Sequence, residues 1–183
     1  MTKITITEAV RTHARYIAAI GRTTFLKSFG HLFKIRDELF GYLDYIYNED
    51  KIARSLQKED NIYLIAWKDD MAIGFAKLKR HSLNDYFETV SQVELQKLYL
   101  LPSYQSMGAG QALMNRVKCI TRELSPDYVW LDAQIGNGNA IKFYEENGFK
   151  KMATSFFLIG TQLFESCLMG MQVTTKKSKP VHF

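Results

Sequence analysis

Apolar and polar residues alternate from Lys3 to Thr7, which predicts a short opening strand. The period then changes. Ile17, Ile20 and Phe25 recur at helical spacing and predict a helix over about residues 8–29, with Gly30 as its stop signal. Ile35, Leu39, Leu43 and Ile46 share one face of a second helix, Ile35 to Asn48, and Ile52 to Leu56 adds a further helical turn. Asn61 to Trp67 and Met71 to Lys79 read as a hairpin of two strands joined by the polar turn Lys68-Asp69-Asp70. Arg80 to Ser91 is polar and irregular, the longest loop. Gln92 to Leu101 is a strand closed by Pro102. Strict alternation puts Val93, Leu95, Lys97 and Tyr99 on one of its faces and Glu94, Gln96, Leu98 and Leu100 on the other.

The strongest helical stripe follows. Leu113, Val117, Ile120 and Leu124 line one side of a helix from Gly108 to Leu124, ended by Ser125-Pro126-Asp127. Tyr128 to Ala133 is a continuous apolar run between turn signals, as expected of a buried strand. Asn139 to Asn147 is a short helix with Gly148 placed to terminate it. Met152 to Ile159 and Leu163 to Val173 form a last hairpin. The order βααββ, then β–α–β–α–β–β, predicts an α/β fold: a mixed, mostly antiparallel central sheet of about seven strands with helices on both faces. The apolar last strand is expected to join sheet edges in a homodimer.

Composition narrows the class without naming a function. The 183 residues are 46% hydrophobic and 23% charged, with three prolines, which fits one domain over 1–175 and a basic tail over 176–183. The net charge of +5 is partly Lys176, Lys177 and Lys179 and otherwise scattered, which weighs against a nucleic-acid surface. Cys119 and Cys167 stand apart and are expected to be buried thiols; the four histidines are dispersed, so no metal is expected. MTKITITEAV has no charged segment followed by an apolar run, and no window approaches about 18 apolar residues. A cytoplasmic protein with no membrane partner is the expectation.

The sharpest local feature is LYLLPSYQSMGAGQALM, a strand, a glycine turn and a helix. Glycine lets backbone approach a ligand or take positive φ, and the helix start leaves unpaired amides with partial positive charge. Together these suit a phosphate or pyrophosphate. A P-loop requires Lys-Ser/Thr after the second glycine, where Gln111-Ala112 stand. A dinucleotide fingerprint requires a third glycine and the first strand of the chain. A plain tight turn before a helix is the competing reading.

Gln105-x-x-Gly108-x-Gly110 is followed by Asn137-x-x-Ala140-x-x-Phe143-Tyr144-Glu145-x-x-Gly148-Phe149. This pair of motifs resembles the GNAT superfamily of N-acetyltransferases. The first is similar to its pyrophosphate signature, Q/R-x-x-G-x-G/A, and the second to its N-x-x-A-x-x-F-Y-x-x-x-G-F segment. The resemblance implies acetyl-CoA as co-substrate and strands splayed at its site. It implies that the backbone of Leu98, Tyr99 and Leu100 pairs with the pantetheine arm, with strand separation after Leu100. Amides of Gln105, Ser106, Met107, Gly108, Ala109, Gly110 and Gln111 would cradle the pyrophosphate. Asn137, or more weakly Asn139, would bond the pantetheine, and Tyr144 would protonate the departing sulfur. For Tyr144 the competing reading is core packing.

An alkylamine of pKa near 10.4 is charged at neutral pH, and deprotonating it costs on the order of 4.6 kcal/mol. A base is therefore useful. Glu94, assigned to the face of Leu98 and Leu100, is the candidate; an exposed strand charge or an ion pair is its alternative. Gln96 stands where relatives often carry a carboxylate.

The segments TTFLKSFG, VELQKLYLLP and SFFLIG are similar to the PaiA-like group, associated with acetylation of spermidine and spermine. Aromatic residues between Phe25 and Tyr47, with Asp37, Glu38 and Asp44 among them, would hold such a polyamine by cation–π and charge contacts. A helix pair with a solvated acidic face is the alternative. The resemblance thus implies transfer of an acetyl group to a primary amine of a small molecule. Competing readings are transfer to a protein N-terminus or lysine, a non-catalytic acyl-CoA-binding regulatory domain, and, more remotely, a nucleotide-binding module.

Overall fold

In the computed structural model, residues 3–173 are described; the expected basic tail, 176–183, lies outside them. One seven-stranded sheet runs through the molecule in the order β1-β2-β3-β4-β5-β7-β6. The strands are β1 Ile4–Glu8, β2 Asn61–Lys68, β3 Met71–Arg80, β4 Gln92–Leu100, β5 Tyr128–Gln134, β6 Lys150–Ile159 and β7 Gln162–Gln172. Every pairing is antiparallel except that of β4 with β5. The helices are α1 Ala14–Phe29, α2 Arg36–Ile46, α3 Glu49–Ser55, α4 Ala109–Leu124 and α5 Gly138–Glu146. The expected mixed, mostly antiparallel sheet between helices is the one observed.

Two cores lie on the two faces of the sheet. On one, α4 lays Leu113, Met114 and Val117 against Leu64, Ile73, Leu78 and Leu131. All three α4 side chains are fully buried, and each such burial stabilises by about 1.5–3 kcal/mol. On the other, Ile17, Ile20 and Phe25 of α1 pack with Leu39, Leu43, Tyr47 and Ile52 over Tyr63, Ile65 and Phe75. Gly21 is required here by close approach: an added Cβ would stand 2.2 Å from the Tyr47 ring. The centres of the apolar stripes read from the sequence are buried, because a helix on a sheet hides one face only, but Ile35 at the start of the α2 stripe is exposed and Ile46 and Leu124 at the stripe ends are half-buried.

Several expectations are corrected. The first helix starts later, with a 3-10 turn at Arg11–His13 before α1, and Gly30 does not stop it by a left-handed turn: its φ is −57° and the chain continues into a second 3-10 turn. Gly148 does take the positive φ, 97°, expected after α5. Cys167 is buried, but Cys119 is exposed, on the outer side of α4. The last strand is not an edge: β7 lies between β5 and β6, so the free edges are β1 and β6.

The most consequential correction is in β4. Lys77 of β3 faces Lys97, yet Leu78 faces Leu95, so Gln96 is an extra residue in β4, a bulge. The bulge inverts the alternation beyond it. Val93, Leu95, Leu98 and Leu100 all face α4, whereas Tyr99 faces α1 together with Phe75. Lys97 joins them, its Nζ 5.7 Å from the Tyr47 ring centroid and 5.6 Å from that of Tyr99. Glu94, opposite Lys79, is also on the α1 face and not on that of Leu98 and Leu100.

Candidate active site

β4 and β5 are paired only at Gln92–Tyr128, Val93–Val129 and Glu94–Trp130. β5 stays bonded to β7 along its whole length, so beyond Glu94 it is β4 that parts from it. Separation therefore begins at the bulge, six residues before the expected point after Leu100. The wedge between the strands opens a cavity of about 710 Å³. Leu95 to Leu100 form one wall, Asp132 to Gln134 with Gly136 another. The glycine turn closes one end, the C-terminal part of α1 the other.

The geometry of the turn is open and rich in unpaired amides. Pro102–Tyr104 makes a 3-10 turn, Ser106 takes φ 62° and Gly108, φ 82°, precedes α4. A Cβ on Gly108 would meet nothing within 4 Å among the described residues, so this side of the turn is open. The first helical bond is donated by Ala112 to Gly108, which leaves the amides of Ala109, Gly110 and Gln111 without intrahelical partners. The helix dipole adds positive potential at the same place. Of the expected cradle, Gln105, Ser106, Gly108, Gly110 and Gln111 line the cavity; Met107 and Ala109 do not, and Ala109 is fully buried.

Leu98, Tyr99 and Leu100 line the wedge, their outward backbone edge free of β5 beyond Glu94. Asn137 and Asn139 line it too. Asn137 also caps α5, its Oδ1 accepting from the Ala140 amide at 3.2 Å, so only its NH2 group is left to offer. Tyr144 stands in the wall, its ring edge-on to Phe143 and Phe149. Burial pushes its phenol up to about 12, so it stays protonated at working pH.

Asn147 has a part that sequence reading missed. It is buried, and it exchanges two bonds with Gln111: Gln111 Nε2 donates to its Oδ1 at 3.0 Å, and its Nδ2 donates to Gln111 Oε1 at 3.2 Å. Lys118 Nζ donates to the same Oδ1 at 2.8 Å. This amide pair fixes α5, with Tyr144, against the start of α4. A polar residue just before a terminating glycine was the only signal, and its partner lies 36 positions away.

Glu94 is absent from the cavity wall. Its Oε2 accepts from Ser82 Oγ at 2.7 Å and from Gln96 Nε2 at 3.4 Å. Glu94→Gln is accordingly expected to lower turnover by less than about tenfold; a loss of roughly a hundredfold in thiol release would restore the carboxylate as the base. The three acidic residues expected to hold a polyamine are also elsewhere. Asp44 pairs with Arg22, Glu38 accepts from Thr161 in the β6–β7 turn, and Asp37 sits in the first turn of α2, off the wall. In their place the far end is walled by Thr24, Ser28, Phe29, His31 and Leu32.

A second hollow of about 520 Å³, between α5 and β6, includes none of the glycine turn, β4 or Tyr144. Among the described residues no group of three or more His, Cys, Asp or Glu is arranged to hold a metal, and no helix is long and apolar enough to cross a membrane.

Comparison with known proteins agrees with this geometry. Residues 29–149 match the family described as acetyltransferase (GNAT). An uncharacterized N-acetyltransferase of Mycobacterium bovis is 32% identical over 124 residues, 68% of this chain and 75% of the relative. The PaiA N-acetyltransferase of Thermoplasma acidophilum in complex with coenzyme A has a similar fold: TM-score 0.74 at 22% identity, covering 93% of this chain and 99% of that one. YncA of Salmonella typhimurium, a putative acetyltransferase with its cofactor acetyl-CoA, gives TM-score 0.66 at 16% identity over 98% and 99%.

Proposed function

The chain belongs to the acetyltransferase (GNAT) family and is an acetyl-CoA-dependent N-acyltransferase; from that premise we propose that its acceptor is the primary amine of a small molecule. One observation carries the reading. A single cavity joins the open glycine turn, the edge of β4 that is unpaired with β5, and Tyr144, and residues of α1 line its far end.

The residues divide the work. Free amides at the start of α4 hold the pyrophosphate, and the exposed edge of Leu98 to Leu100 pairs with the pantetheine arm as an added strand would. The Asn137 NH2 group supplies a further donor. The neutral amine attacks the thioester carbonyl carbon; the new C–N bond forms, the C–S bond breaks, and the amine's extra proton leaves to water. Tyr144 gives its proton to the thiolate. Holding both reactants in one cavity replaces a bimolecular encounter, which is itself a large part of the barrier.

The test is a calorimetric titration of acetyl-CoA followed by thiol release with a panel of primary amines. Micromolar binding with release on a small amine is the expected result. Absence of binding would overturn the placement of the site, and release only with a peptide N-terminus or lysine would overturn the acceptor.

A further inference from the structure

We infer that Asp132 receives the acceptor's nitrogen, and that Ser155 and Ser166 aim its carboxylate at it. The inference rests on the acetyl-transfer reading above and deepens it: it names the group that takes the amine's extra proton on its way to water.

The wall of the cavity holds one carboxylate among the described residues, Asp132 of β5. The fold fixes where it stands. β5 pairs with β7 in unbroken register, so its faces alternate strictly. Val129, Leu131 and Ala133 pack into the core under α4, which puts Asp132 on the opposite face with Trp130. Trp130 is the last β5 residue paired with β4, and Asp132 comes two residues later. It therefore borders the wedge close to the point where the strands part, in the same wall as Tyr144.

The carboxylate is held by one oxygen only. Ser155 Oγ donates to Oδ1. Ser166 Oγ, buried, lies 2.7 Å from Ser155 Oγ and 3.4 Å from the same Oδ1. Among the described residues Oδ2 accepts no hydrogen bond, and no lysine, arginine or histidine pairs with Asp132. The residue is exposed where it meets the cavity. A carboxylate has about four acceptor positions, and a purely structural one engages both oxygens. Here one oxygen is fixed by neighbours and the other is left for a donor that the described residues do not supply. An amine is such a donor, and its bond to a carboxylate is charge-assisted.

The chemistry uses that oxygen during attack. As the C–N bond forms, positive charge develops on the nitrogen, and a fixed carboxylate beside it stabilises that charge. The N–H bond then breaks, the proton goes to Oδ2, and from there it passes to water, which restores the carboxylate. Tyr144 serves the other end of the reaction, the departing sulfur, so the two proton transfers have separate residues. The other proton acceptor considered is His31 at the far end of the cavity, on a 3-10 turn and exposed, with no side-chain hydrogen bond to hold it among the described residues.

The test compares hexylamine with O-pentylhydroxylamine, which has the same length but is uncharged at neutral pH and whose adduct loses its proton to water unaided. Thiol release is read with acetyl-CoA-saturated enzyme. Asp132→Asn should lower kcat/KM for hexylamine at least about 100-fold and for the alkoxyamine less than about tenfold, with acetyl-CoA affinity within about twofold by calorimetry. Ser155→Ala should lower hexylamine turnover about tenfold in the same selective way. An equal loss on both nucleophiles, or a proportional loss of acetyl-CoA affinity, makes the carboxylate structural and overturns the inference. So does hexylamine turnover within about threefold of wild type in Asp132→Asn, or a hundredfold selective loss in His31→Gln instead. Wild-type enzyme that binds acetyl-CoA but acetylates neither nucleophile also overturns it, while the cofactor site stands. If acetyl-CoA does not bind, the underlying reading fails instead.

Discussion

Gly108→Glu abolishes acetyl-CoA binding: the expected dissociation constant rises at least ~100-fold, about 2.7 kcal/mol. Two separate costs meet at this position. The backbone takes φ 82°, a conformation that strains a residue with a side chain by of order 1–3 kcal/mol. That cost falls on folding and is read as a lower melting temperature. The second cost falls on binding. The new side chain leaves Gly108 on the open side, where nothing stands within 4 Å among the described residues. A carboxylate there is attracted to the same unpaired amides of α4 that would hold the pyrophosphate. It therefore competes as an internal anion and repels the external one. Gly108→Ala carries the strain without the charge and should weaken binding by less than about tenfold. Calorimetry on both variants separates the two; unchanged affinity in Gly108→Glu would remove the pyrophosphate from this turn.

Tyr144→Phe acts on the chemical step. The ring is held between Phe143 and Phe149, and deleting one oxygen leaves that packing in place. Acetyl-CoA affinity should stay within about twofold, while kcat falls about a hundredfold, the low end for loss of a general acid. The pH behaviour adds a check. With its phenol pushed up to about 12, Tyr144 is protonated throughout the assay range, so the ratio of wild-type to variant rates should be flat from about pH 7 to about pH 9. A variant at full rate would leave the sulfur to be protonated by water, and a variant that lost affinity in proportion would make Tyr144 a binding group only.

How much of this was legible depends on range. The glycine turn was legible because its cause is local: a strand end, two glycines and a helix start lie within a dozen residues. Helix faces were legible for the same reason. The faces of β4 were not, because alternation holds only while strands stay in register, and the extra residue Gln96 is visible only against its partner strand. One inserted residue moved Lys97 to the α1 side, brought Leu98 and Leu100 to the α4 side with Val93 and Leu95, and so separated Glu94 from those two leucines. The acidic residues of α2 lie off the cavity wall for a related reason. Their composition suggested a cation site, but Asp44 is spent on Arg22 and Glu38 on a turn more than a hundred residues away.

By itself, then, the sequence determined the element order, the centres of the core-facing stripes, the glycine turn between strand and helix, and the family that follows from its motifs. Each depends on residues near one another in the chain, where spacing and chemistry are enough. Only the tertiary structure decided where β4 and β5 part, which strand is the edge, how Gln111 and Asn147 lock α5 to α4, and which side chains line the α1 end of the cavity. Those depend on register and on the direction of side chains from distant segments, and both are fixed when the two cores close on the sheet.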